Sequence, residues 1–138
     1  MKINVLLVMP GKEPQKIKIP ASMKFIRAFI GKDLYKIKLD ENTVILGDKN
    51  ANFTDFNRIF GTHIILGTFL IVSEKKNRLV SMKKKNIRKF TNTFKLRKHQ
   101  KKIDIYKDEF LEEHYSNQRK IKQKNLIRNK QQLFNAAA

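Results

Sequence analysis

Cysteine is absent, which excludes disulfide frames, thiolate nucleophiles and cysteine-based zinc sites. Long apolar runs are missing too. The longest, from His63 to Val72, is interrupted by Gly67 and Thr68 and falls far short of the ~20 residues that span a bilayer. The N-terminus carries one lysine before an alternating segment that ends at Pro10, without the apolar region or small-residue cleavage site of a signal peptide. A cytoplasmic protein with no membrane segment is expected. Histidine is scarce: His63, His99 and His114 stand alone, none in a nucleophile or triad motif. Carboxylates are missing from one long stretch, since none occurs between Glu74 and Asp104.

What the chain has is positive charge, +19 over 138 residues. Residues 1–73 hold 11 Lys and Arg against 6 Asp and Glu, a net of +5, whereas residues 74–138 hold 20 against 6, a net of +14. A generally lysine-rich composition accounts for the excess in the first half but not for its concentration in the second. Such asymmetry points to a polyanionic partner for the C-terminal half, nucleic acid first.

The apolar pattern of the first half reads as an α+β domain. Residues 2–9 resemble a buried strand, and Pro10-Gly11-Lys12-Glu13-Pro14 a turn into the alternating strand 15–19. Ser22 can cap a short helix carrying Met23, Ile26, Phe29 and Ile30 on one side, with Gly31 as its stop. Residues 34–39 and 43–46 form a second hairpin around Asp40-Glu41-Asn42. Phe53, Phe56, Ile59 and Phe60 have the spacing of a short helical segment, and the apolar run after Gly61 is the candidate central strand. Residues 74–78 read as a charged loop, followed by a helix that Ser81 could cap and that carries the stripe Ile87, Phe90 and Phe94. The organisation expected is a compact core over 1–73, a charged loop and basic amphipathic helix packed on it over 74–102, and a basic helical extension over 103–138 that a partner could order. Ile103, Tyr106 and Phe110 begin that extension near one helical face, a seam suited to docking in a partner's groove. If helical to Phe134 it would be about 48 Å long. The final Ala136-Ala137-Ala138 reads as a cloning remnant.

Catalytic and metal chemistry find little support. Asp48, Asn50 and Asn52 begin like a calcium loop, but Phe53 stands where glycine is needed and Ile59 where the bidentate glutamate is needed, so a turn is expected. Glu109 and Glu113 would share a helical face, yet His114 is rotated away and no second histidine follows. His63, bordering the most apolar strand, reads as a hydrogen-bonded core or edge residue. Gly11-Lys12 and Gly31-Lys32 lack the remaining residues of a phosphate loop. Neither an enzyme nor a cofactor or metal site is expected.

The basic segment remains. If residues 82–102 formed one helix, Lys84, Arg88, Lys95, Lys98 and Lys102 would fall near one line at about 100° per residue, with Thr91 among them. Lys83, Lys85, Arg97 and Lys101 thicken the charge around that ridge. Phosphates along a duplex strand advance about 3.4 Å per nucleotide, so a ridge of this kind can neutralise several. No base-reading pattern accompanies it, so contacts with the backbone of DNA or RNA, salt-sensitive and weakly selective, are expected. The competing expectation is a protein-protein adaptor whose charge only confers solubility.

The stretches VLLVMPGKEPQKIKI, GTFLIV and LVSMKKKNIRKFTNTFK resemble a small family from bacteriophages and mobile elements catalogued as domain of unknown function 3846, over about residues 3–95. The resemblance implies a compact α+β fold and a phage or mobile-element setting in a bacterial host, where accessory proteins often inhibit host defences such as nuclease ribonucleoproteins, in the manner of anti-CRISPR proteins. It implies no catalytic residues. Members commonly have acids in the Ser-initiated helix, where this chain has Lys83, Lys84, Lys85, Arg88 and Lys89, and the segment after residue 96 lies outside the family domain.

Overall fold

The computed structural model describes residues 1–105 and 107–109. Residues Met1–Ile103 form one compact unit; the second begins at Asp104. The first is an α+β fold in which β1 (Lys2–Val8), β2 (Gln15–Pro20), α1 (Met23–Phe29), β3 (Leu34–Lys38), β4 (Thr43–Asp48), β5 (Phe56–Phe60), β6 (His63–Leu66), β7 (Phe69–Lys75), β8 (Arg78–Val80) and α2 (Lys84–Thr93) follow one another. Among the described residues no helix is long and apolar enough to cross a membrane.

Six strands make an antiparallel sheet, five of them in the order β2-β1-β7-β4-β3. The sixth, β8, pairs with the far end of β7, opposite the edge that β4 occupies, because Ser73 is in register with both Thr43 and Val80. The chain then runs on beside β1, where the Met82 N–H donates to the Asn4 carbonyl and the Asn4 N–H to Ser81 Oγ. Side chains alternate between the two sheet faces. Ile3, Val5 and Leu7 join Val44, Leu46, Leu70 and Val72 beneath Ile26 of α1. Leu6 and Val8 join Ile45, Phe69 and Ile71 beneath Phe90 and Phe94. Both faces are covered, and so Val5–Val8 of β1 and Phe69–Val72 of β7 run continuously apolar rather than alternating. The two edge strands carry outward lysines, Lys16 and Lys18 on β2 and Lys36 and Lys38 on β3, which discourage pairing with another sheet.

Both early hairpins and the central placement of 69–75 agree with the sequence pattern. Elsewhere the structure corrects it. The helical segment expected around Phe53 to Phe60 is strand β5, which pairs with β6 in a separate two-stranded sheet. The single strand expected after Gly61 is two, split at Gly67, whose φ of 70° turns the chain. The charged loop at 74–78 is a tight hairpin: Lys76 and Asn77 both adopt positive φ, as a two-residue β-turn requires. Phe29, expected on the core side of α1, is 47% exposed and stacks on Phe25. Gly31 does not end α1 by a left-handed turn. It is glycine because a Cβ there would lie 2.4 Å from Cγ of Asp48. His63 is exposed at the start of β6, an edge strand of the two-stranded sheet, so of the two places expected for it the edge is the one it takes. Asp48, Asn50 and Asn52 do form a turn, with the Asp48 and Asn52 side-chain oxygens accepting from the N–H groups of Asn50 and Thr54.

Candidate nucleic-acid interface

α2 packs through Phe90 and Phe94, with Ile87 partly buried beside them. Phe94 contacts Phe69 edge-on at 5.8 Å and Phe60 at 5.7 Å, which seats the helix on the sheet. Its N-cap is Lys83, with no side-chain cap; Ser81, expected there, instead accepts from β1. At about 100° per residue, the direction opposite the buried stripe carries Lys85, Arg88, Lys89 and Asn92, flanked by Lys84. Lys85, Arg88, Lys89, Thr91, Asn92 and Lys95 border one open concavity. Lys89 and Asn92 belong to this surface, although the helical line drawn through Lys84 and Arg88 omits them.

One continuous helix over 82–102 is not formed. α2 ends at Thr93, Phe94 takes a non-helical conformation, and a new helical segment starts at residue 96. The break is held from two sides. Arg58, on β5, donates from Nε to the Phe94 carbonyl at 2.9 Å, and Glu13 accepts the Leu96 N–H through Oε1. The Phe94 carbonyl and the Leu96 N–H, which the break would otherwise leave open, therefore each have a partner. Arg58 is 0% exposed. Its Nη1 donates to the carbonyl and Oδ1 of Asn57, and its Nη2 donates to the Lys12 carbonyl. Burial pushes the guanidinium below its ordinary pKa, and Glu13 acts in the opposite direction. A β-bulge between Phe56 and Arg58 interrupts the alternation of β5, so Phe56, Asn57 and Arg58 are all buried in succession. Asn57 Nδ2 then reaches the carbonyls of Val8 and Gly67 at 2.9 and 2.7 Å, pinning the small sheet to the large one.

The segment after the break buries His99 and Ile103 and exposes Arg97, Lys98, Lys101 and Lys102 to differing degrees. His99 stacks on Phe94 at 5.8 Å, and its Nε2 lies 2.8 Å from the Thr93 carbonyl. Lys84, Arg88 and Lys95 therefore share one surface, whereas Lys98 and Lys102 sit beyond a bend and no longer continue a straight line. Ile103, expected to offer itself to a partner, is only 5% exposed. Tyr106 and Phe110, the rest of that seam, lie outside the described residues. So do Glu112, Glu113 and His114, and the helix expected to reach Phe134.

One acid approaches the basic face. Burial raises the Asp40 carboxyl, but hydrogen bonds from Asn42 and Thr43, with the charge of Lys89, outweigh this and hold its pKa below the usual value. The cation of Lys89 also lies 5.2 Å from the centre of the Phe90 ring. The other basic residues of α2, Lys84, Lys85 and Arg88, form no salt bridge among the described residues and carry their charge on the helix surface.

The model of the family described as Domain of unknown function (DUF3846) matches residues 1–95, so the chain belongs to that family. No curated protein and no solved structure gives a significant match. The match ends at Lys95, within the break between the two helical segments.

Proposed function

We propose that this DUF3846 protein is a non-enzymatic accessory protein of a phage or mobile element, acting in the bacterial cytoplasm, that grips the phosphate backbone of DNA or RNA, free or within a ribonucleoprotein. The observation that carries the proposal is the outward face of α2 with Lys84, Lys85, Arg88 and Lys89, joined by Lys95 just past its end, on a segment without a single carboxylate. The face is rigidly presented, because Phe90 and Phe94 are buried in the sheet's core. Arg97, Lys98, Lys101 and Lys102 widen it past the bend. Occupying the nucleic-acid channel of a host nuclease complex is the use that best suits such a face in the setting implied by the family resemblance.

The test is salt-dependent binding to duplex DNA and to structured RNA. If about four phosphates are neutralised, the log–log slope is near −4 and affinity falls about a hundredfold between ~50 and ~200 mM salt. Charge reversal at Lys85, Arg88 and Lys89 should flatten that slope by about one for each phosphate no longer neutralised. Weak, salt-insensitive binding to every nucleic acid would refute the proposal and favour an adaptor. Addition to a purified host nuclease ribonucleoprotein tests the inhibitory use separately.

A further inference from the structure

The opposite side of the sheet carries a second concentration of cations. A hollow of about 470 Å³ is bordered by Arg27 of α1, Lys32 and Asp33 of the following turn, Lys36 of β3 and Lys49 after β4. Leu34 and Leu46, which line it, belong to the apolar face that α1 covers, away from the face that α2 covers. Four cations and one carboxylate line it, and with Glu74, which pairs with Lys36, the net is +2. Lys36 is engaged by Glu74 at 2.8 Å, whereas Arg27, Lys32 and Lys49 have no ion-pair partner among the described residues.

Their spacing is fixed by the backbone. The Lys49 N–H donates to the Asp33 carbonyl at 2.8 Å, and the Asn50 amide reaches the Asp33 carboxylate at 3.4 Å. Gly31 permits Asp48 to close against the turn, since a Cβ at that position would collide with it. The two turns are thereby tied together, with Lys32 on one and Lys49 on the other. The backbone positions from which the two lysines reach out are thus set before binding, so a ligand has only the side chains to order.

We infer that Arg27, Lys32 and Lys49 form a second phosphate-backbone contact, and that the protein bridges two segments of nucleic acid, one on α2 and one in this hollow. The bridging rests on the α2 reading above; the hollow itself does not. A short duplex is far stiffer than the turn it would need, given a persistence length of about 150 bp, so one duplex of ~20 bp cannot lie along α2 and also reach the hollow. The second contact must therefore take a separate segment.

An immobilised duplex of ~20 bp and a second, labelled duplex in solution provide the test. The wild-type protein should bind the first and capture the second. The variant R27E/K32E/K49E should lose capture by about tenfold, while binding to the immobilised duplex weakens less than about threefold. Circular dichroism and thermal melting confirm that this surface variant remains folded. Undiminished capture by the variant overturns the inference, because bridging would then arise elsewhere or from self-association. Binding without capture by wild type overturns it as well, and leaves the α2 reading standing. A K85E/R88E/K89E variant that binds and captures normally overturns the α2 reading and with it the bridging as stated, and leaves the contact in the hollow standing. Binding to neither duplex defeats both.

Discussion

The guanidinium of Arg58 and the carbonyl of Phe94 meet at 2.9 Å, 36 residues apart in the chain, at the point where the basic region stops being one helix. The relationship places a fully buried cation beneath a cationic surface. It is stabilised there by backbone and amide oxygens rather than by a direct carboxylate bond.

Replacing Arg58 should be the most damaging polar substitution in the domain. Arg58→Met would leave the carbonyls of Lys12 and Phe94 and the Asn57 side chain without their donor, at a cost of about 3–5 kcal/mol. Urea denaturation measures the loss. Amide exchange should accelerate most around residues 94–99. A loss below about 1 kcal/mol would mean that the carbonyls find other partners.

Glu13→Ala should cost about 1 kcal/mol, the usual value of a lost helix cap, and Glu13→Gln much less because an acceptor oxygen remains. The effect should be local. Exchange of the Leu96 amide rises, while amides in β1 and β7 change only with global stability.

Tyr35 should respond to alkali. Its hydroxyl is buried without a partner, and burial, aided by the charge of Asp48, pushes its pKa from 10.0 up to about 12. The folded state therefore favours the protonated phenol. Stability from this group is fully present below pH 10.0 and is lost as pH rises towards about 12. Tyr35→Phe should show a smaller alkaline loss, and at neutral pH should be neutral or stabilising by up to about 1 kcal/mol, since it removes an unpaired buried hydroxyl. Denaturation series on both proteins across that pH range, with phenol absorbance, decide it.

Gly47→Ala should destabilise by about 1–3 kcal/mol. A Cβ there would sit 2.2 Å from the Tyr35 ring, its partner across the β3–β4 ladder. Combining it with Tyr35→Leu should recover part of the loss, and a double-mutant cycle gives the coupling.

The sequence made the sheet legible wherever burial was simple. Val5 to Val8 and Phe69 to Val72 are apolar because both faces are covered, and the hairpin turns carry proline, glycine or paired polar residues. The stripe Ile87, Phe90 and Phe94 likewise identified the seated side of α2 and, by difference, its basic side. Phe56 to Phe60 misled because a bulge destroys the period of two that marks a strand. The break at Phe94 was invisible for another reason. No proline or glycine causes it; it exists because Arg58 and Glu13, distant in sequence, satisfy the backbone there. Nothing local marks Arg58 as buried, and a charged residue in a polar stretch is ordinarily outside.

The turn Pro10–Pro14 acquires a different meaning from this arrangement. Lys12 supplies a carbonyl to Arg58 and Glu13 a carboxylate to Leu96, so this short connector between two strands is also the socket into which the basic arm is plugged. The family domain ends at residue 95, beside that socket. The sheet, its two cores and the anchoring arginine thus lie inside the family domain, while most of the arm they hold lies outside it.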